Sequence, residues 1–138
     1  MADKPITVLL VEDNPGDASL ILRMLSTING HFNVIHVTKL SEGLERLQKG
    51  DIDAVLLDLG LPDSSGLETL ARARARDPQV PIIVITGLSE REMAVEALHQ
   101  GAQDFIAKER VDVHLLARAI FRWIGKKESE PRQSEPRQ

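Results

Sequence analysis

The chain contains no cysteine, which removes disulfide frameworks, thiolate chemistry and zinc-thiolate centres together. Aromatic residues are scarce, at 3%, and the net charge is −4, so neither a stacking platform nor a basic footprint for nucleic acid is expected. The longest apolar runs fall far short of the roughly 20 residues that cross a bilayer, and no membrane partner is expected. The opening residues Met1-Ala2-Asp3-Lys4-Pro5 lack the basic stretch and apolar run of a secretion signal, which leads to the expectation of a cytoplasmic protein. At 138 residues the chain suffices for one domain with a tail, not for two folded domains.

What is present is a series of short apolar runs, most of which deliver a polar residue to their end. In Val55-Leu56-Leu57-Asp58-Leu59-Gly60-Leu61-Pro62, residues 54 to 57 are too few and too evenly apolar for an amphipathic helix. They read as a strand of a parallel sheet covered on both faces. Asp58 then stands at the C-terminal mouth of that strand, the edge at which open α/β sheets bind ligands. Residues 6 to 11 form a second such run and end in Glu12-Asp13. Asn14-Pro15-Gly16-Asp17 reads as a helix start, with Asn14 as N-cap and Pro15 in the first helical position. Ala18, Ile21, Leu22 and Leu25 carry this helix to about Asn29-Gly30.

Residues 32 to 37 alternate poorly and suit a sheet edge, and Leu40, Leu44 and Leu47 stripe a short helix that stops at Gly50. Ser65-Gly66-Leu67-Glu68 and Ser89-Glu90-Arg91-Glu92 both have capping-box spacing and open helices. The first of these helices, with Arg72, Arg74 and Arg76, must keep much of its surface in water. Residues 82 to 85 lead to Thr86-Gly87, and residues 104 to 107 to Lys108. Val113, Leu116, Ala117, Ile120 and Ile124 stripe a closing helix, with Trp123 beside them as packing. His31, His36, His99 and His114 are scattered without metal-ligand spacing.

Five strands thus alternate with five helices through short connections, which predicts an α/β fold with a single, doubly wound parallel sheet. Residues 1–127 form this domain. Residues 128–138, in which Ser129-Glu130-Pro131-Arg132-Gln133 repeats as Ser134-Glu135-Pro136-Arg137-Gln138, read as a disordered polar tail.

In a parallel sheet, Glu12-Asp13, Asp58, Thr86 and Lys108 converge on one edge. Two unit charges about 4 Å apart interact by about 4 kcal/mol at an effective dielectric near 20, so three carboxylates there call for raised pKa values or a bound cation. Oxygen-only ligands suit Mg²⁺. Lys108 supplies a point charge and Thr86 a hydroxyl, which with Mg²⁺ suit a phosphoryl group in transit to a carboxylate. Asp58, on a central strand, is the natural nucleophile. Gly60 and Gly87 would let the backbone approach the phosphoryl closely.

Four segments together carry a resemblance: Val8-Leu9-Leu10-Val11-Glu12-Asp13-Asn14, Leu56-Leu57-Asp58-Leu59-Gly60-Leu61-Pro62 with Gly66, Ile83-Val84-Ile85-Thr86-Gly87, and Gly101-Ala102-Gln103-Asp104-Phe105-Ile106-Ala107-Lys108. Over residues 5 to 126 the sequence resembles the receiver domain of bacterial two-component response regulators. The resemblance implies a flavodoxin-like sheet of strand order 2-1-3-4-5. It implies that Asp58 accepts a phosphoryl group from a histidine kinase or histidine phosphotransfer protein. Mg²⁺ would be held by Asp13, Asp58 and the Gly60 carbonyl, with Glu12 acting through water. Thr86 and Lys108 would contact the phosphoryl oxygens, and Thr86 and Phe105 would switch the face built from the fourth helix, fifth strand and fifth helix, where a downstream protein or a second copy could dock.

Two positions depart from the family pattern. Glu109 follows Lys108 where most members have proline, often after a cis bond that costs a non-proline residue roughly 3 kcal/mol, so the geometry of that peptide is left open. Phe105 stands where tyrosine is commoner and has no hydroxyl to bond. Two other readings stay beside the phosphoacceptor: an unphosphorylated receiver-like scaffold, and a metal-dependent phosphatase. The second is weakened by the lack of a glycine-rich phosphate loop after the first strand and of a second acid beside Asp58.

Overall fold

The structure, a computed structural model, describes residues 5–28 and 32–134. Its elements in chain order are β1 (Ile6–Val11), α1 (Pro15–Ser26), β2 (Phe32–Val37), α2 (Leu40–Gln48), β3 (Ala54–Asp58), β4 (Gly60–Leu61), β5 (Ser64–Ser65), α3 (Leu67–Arg76), β6 (Ile82–Thr86), α4 (Arg91–His99), β7 (Asp104–Ala107) and α5 (Val113–Ser134). Short 3₁₀ turns cover Leu88–Glu90 and Lys108–Arg110. The main sheet has the order β2-β1-β3-β6-β7 and every pairing in it is parallel. With the small β4-β5 hairpin set aside, this is the predicted 2-1-3-4-5 arrangement.

The two-residue period of the strands divides the core into two layers. Leu9, Val11, Val55, Leu57, Ile82 and Val84 pack under α2, α3 and α4 through Leu44, Leu70 and Ala97. Their sequence neighbours Val8, Leu10, Leu56, Ile83 and Ile85 face the other way, against Ile21 and Leu25 of α1 and Leu116 and Ile120 of α5. Because β3 and β6 are buried along their whole length, they read as continuous apolar runs. Edge strand β2 exposes Asn33 and His36, which accounts for its weak pattern.

Local details differ from the sequence reading in four places. The N-cap of α3 is Gly66, at φ +69° and without a side-chain cap, because Ser65 is drawn into the hairpin against Gly60. A 3₁₀ turn closed by Glu90 N–H to Gly87 O at 3.0 Å occupies Ser89, so α4 starts later, again with no side-chain cap. Arg74 is not simply solvated: its guanidinium donates to the carbonyls of Asp77, Val80 and Gly101 and to Gln103. It thereby ties the end of α3 to the entries of β6 and β7. Finally, the α5 backbone runs to Ser134, past the expected boundary at 127, and its last core residue is Ile124. A polar chain can continue a helix that packing has already nucleated; residues 135–138, like Asn29-Gly30 and His31, lie outside the described residues.

The predicted helix start is present as read: Asn14 Oδ1 accepts the N–H of Asp17 at 2.9 Å, with Pro15 in the first turn. In the closing helix Ala119, rather than Ala117, completes the buried stripe.

Candidate functional site

Parallel pairing carries the sequence's scattered polar residues to one edge. Asp58 is the last residue of β3 and Thr86 the last of β6; Glu12 follows β1 and Lys108 follows β7. Register places Val11 beside Leu57, Asp58 beside Ile85 and Thr86 beside Ala107, so the four groups stand side by side across the sheet.

Lys108 is the hub. Its Nζ lies 2.9 Å from Asp17 Oδ2, 3.1 Å from Glu12 Oε1 and 3.2 Å from Asp58 Oδ2. Asp58 is 6% exposed and Glu12 1%, while Asp13 is open to solvent. Asp58 is further fixed by the Gly60 N–H, which donates to its Oδ1 at 3.0 Å. Glu12 is held from two sides: Asn14 N–H donates to its Oε2 at 3.1 Å, and the His36 ring nitrogen lies 2.9 Å from its main-chain oxygen.

This crowding shows in the titration of the site. Burial pushes the Glu12 carboxyl up to about 7, and the neighbouring Asp58 carboxylate adds to the effect. Burial works against the charge of Lys108, but Asp17, Asp58 and Glu12 outweigh it and hold the ammonium above its ordinary range. One ammonium cannot neutralise so many acids.

Oxygens of Glu12, Asp13 and Asp58 all lie within 4.8 Å of one another. Although Glu12 Oε1 is 3.1 Å from the ammonium, the approach is off the hydrogen-bond direction, and this buried atom has no hydrogen-bond partner. A buried carboxylate oxygen without a donor, in a set of oxygen-only ligands with excess negative charge, fits a hard divalent cation such as Mg²⁺.

Thr86 is buried and lines a cleft of about 320 Å³ shared with Gly87, Arg91, Phe105, Arg110 and Leu115. Phe105 is half-buried and packs against the α2-α3-α4 layer, so the two expected switch residues border one space. Cis peptides are absent among the described residues, so Lys108-Glu109 is trans. Glu109 turns its carboxylate toward Gly87, 3.6 Å from where a β-carbon there would sit. His36, His99 and His114 stand outside the acid cluster.

Asp17 is the site residue that sequence reasoning missed. It was explicable as a first-turn helix acid, and only its place three residues after the N-cap, on the turn facing the end of β1, pointed further.

A family model for the response regulator receiver domain matches residues 8–120. The chain belongs to that family. The receiver is 35% identical over 113 residues to the swarming motility regulation protein RssB of Serratia marcescens, covering 82% of this chain and 51% of that protein. It is 37% identical over 103 residues to the transcriptional regulatory protein MalR of Bacillus subtilis, covering 75% of this chain and 44% of that protein. The chain thus spans about half the length of these relatives, or less.

Among solved structures, the receiver domain of a sensor histidine kinase from Pseudomonas aeruginosa superposes with a TM-score of 0.76 at 31% identity, covering 88% of this chain and 99% of that one. That structure has a magnesium ion coordinated in its active-site cleft. A CheY-like receiver from Methanospirillum hungatei gives a TM-score of 0.80 at 26% identity, over 92% and 99% of the two chains. Receivers of this family belong to two-component signalling, in which they serve generally as phosphoacceptor switches.

Proposed function

We propose that this receiver accepts a phosphoryl group on Asp58 from a phosphohistidine of a kinase or phosphotransfer protein, with Mg²⁺ bound by Asp13, Asp58 and the Gly60 carbonyl and Glu12 acting through water. The observation that carries the reading is the placement of Asp58. It ends a buried central strand, one oxygen is tied to the Gly60 N–H, and the other faces Lys108 at 3.2 Å. A carboxylate oxygen of Asp58 forms the new P–O bond as the P–N bond to the donor histidine breaks; the departing imidazole nitrogen takes a proton from solvent.

Lys108 and Thr86 would hold the equatorial phosphoryl oxygens, where negative charge accumulates. Mg²⁺, when bound, offsets the charge of the acids and of the phosphoryl together. The chain is read as a phosphoacceptor, with self-phosphorylation and autodephosphorylation as its only chemistry, rather than as an enzyme acting on a separate substrate. In this proposal Thr86 and Phe105 link phosphorylation to the face of α4, β7 and α5, the docking surface for a downstream protein or a second copy. A cytoplasmic setting, where a kinase and Mg²⁺ are at hand, completes the reading; no helix among the described residues is long and apolar enough to cross a membrane.

The test is intact mass after incubation with acetyl phosphate, with and without Mg²⁺, for wild type and Asp58→Asn. One Mg²⁺-dependent phosphoryl gain that disappears in the variant is expected. An unlabelled wild type, under conditions that label a working receiver, would favour the unphosphorylated scaffold instead.

A further inference from the structure

Lys108 has more acids around it than the expected chemistry uses. A lysine that is to grip an incoming phosphoryl must first leave whatever holds it. Of its three carboxylate neighbours, two belong to the acid cluster at the cation site, Glu12 and Asp58. The third, Asp17, lies outside that cluster and makes the shortest contact, 2.9 Å against 3.1 and 3.2 Å.

Asp17 is also rigidly placed. Its own N–H is bonded to Asn14 Oδ1 at 2.9 Å, which fixes it in the first turn of α1, and Pro15 stiffens that turn. Its carboxylate, however, is partly open, with the side chain 37% exposed. The pair is therefore well aligned but not buried, the kind of ion pair that forms and breaks at modest cost.

A divalent cation among Glu12, Asp13 and Asp58 would consume the charge of two of the lysine's partners and repel the ammonium. Asp17 alone would then keep its full attraction. Resting on the phosphoacceptor reading above, we infer that Asp17 is the resting partner of Lys108: it parks the ammonium at the rim of the loaded site and surrenders it when a phosphoryl group arrives on Asp58.

Asp17 acts through Lys108 and touches no reacting atom, so it is a positioning residue. Its negative charge competes with the phosphoryl oxygens for the ammonium. Removing that charge leaves Lys108 free for the phosphoryl, and phosphorylation becomes faster. The N-cap bond uses the Asp17 main chain, so a substitution of the side chain leaves it in place.

The experiment compares phosphorylation rates with acetyl phosphate at saturating Mg²⁺ for wild type, Asp17→Asn, Asp17→Glu, Lys108→Gln and the Asp17→Asn/Lys108→Gln double variant. Asp17→Asn is expected to be about threefold faster than wild type, the scale of one partly exposed ion pair. Asp17→Glu should return most of the way to the wild-type rate. The gain should vanish when Lys108 is already glutamine, which a general charge or folding effect would not do.

An unchanged or slower rate in Asp17→Asn, or the same gain in the Lys108→Gln background, overturns the inference while leaving Asp58 as phosphoacceptor intact. A wild type that takes no phosphoryl at all overturns both.

Discussion

Asp63 caps a helix to which it is not joined: its Oδ1 accepts the N–H of Leu40, 23 positions earlier in the chain, at 2.8 Å. Its second oxygen accepts from Ser41 at 3.0 Å. The formal N-cap of α2, Lys39, supplies no side-chain bond, so the hairpin after β3 provides what α2 lacks. The N–H donors of Ser41 and Leu40 hold the Asp63 carboxyl below its ordinary value of 3.8.

Replacing Asp63 with alanine is therefore expected to destabilise the fold at neutral pH by about 0.5–1 kcal/mol, the lower range for a lost cap because the residue is exposed. The depressed pKa sets the pH window. The contribution is complete above the unfolded value and is lost as pH falls through the lower folded one. Urea denaturation of wild type and Asp63→Ala at pH 7 should show the gap, and at the acid limit it should close.

Glu12 has the opposite sign. Its carboxyl is raised from 4.5 to about 7, so the folded state holds the proton more tightly than the unfolded chain does, and stability falls as pH rises between those values. In the presence of a chelator, Glu12→Gln is expected to gain on the order of 2 kcal/mol relative to wild type on going from pH 4.5 to pH 8. Denaturant midpoints at the two pH values measure this; a pH-independent difference would contradict it.

Mg²⁺ should relieve the same strain. A ligand that binds only the folded state raises its stability by about 2.7 kcal/mol at a hundredfold excess over Kd. Thermal unfolding of wild type at pH 8 should therefore shift upward with added Mg²⁺. The shift should shrink strongly in Asp13→Asn, whose exposed carboxylate stands in the acid cluster and can be changed with little effect on packing.

Thr86→Ala tests the proposed switch while leaving the Asp58 carboxylate in place, at the loss of one proposed phosphoryl contact. Thr86 and Phe105 border one cleft, so the hydroxyl can couple the two, while Asp58 and Lys108 stay untouched. The variant should still be labelled by acetyl phosphate. Phosphorylation should alter amide exchange in α4 and β7 of wild type and leave that of the variant nearly unchanged.

The sequence discloses the sheet well because β3 and β6 are buried throughout and their apolar runs have only one use. Glu12, Asp58, Thr86 and Lys108 follow directly, since a parallel sheet has only one C-terminal edge. Features that depend on contact between distant turns are hidden. Asp17 and Asp63 are ordinary loop and helix-start acids until Lys108 and Leu40 are brought to them. The two-residue strands at Gly60–Leu61 and Ser64–Ser65 are too short to leave a period. They also take Ser65 out of the capping box that its spacing suggests. Arg74 reads as a solvated charge because two of its four acceptors, Gly101 and Gln103, lie 27 and 29 positions further along the chain.

The contact between Lys108 and Glu12 spans 96 positions of chain, and every strand pairing of the main sheet lies within or beside that span. Contacts so distant along the chain close late in folding, after the entropy of the intervening loops has been lost. A molecule whose sheet has not closed would hold Asp58 without its lysine. If Asp58 is the phosphoacceptor proposed above, competence to receive a phosphoryl group would depend on the whole sheet having closed.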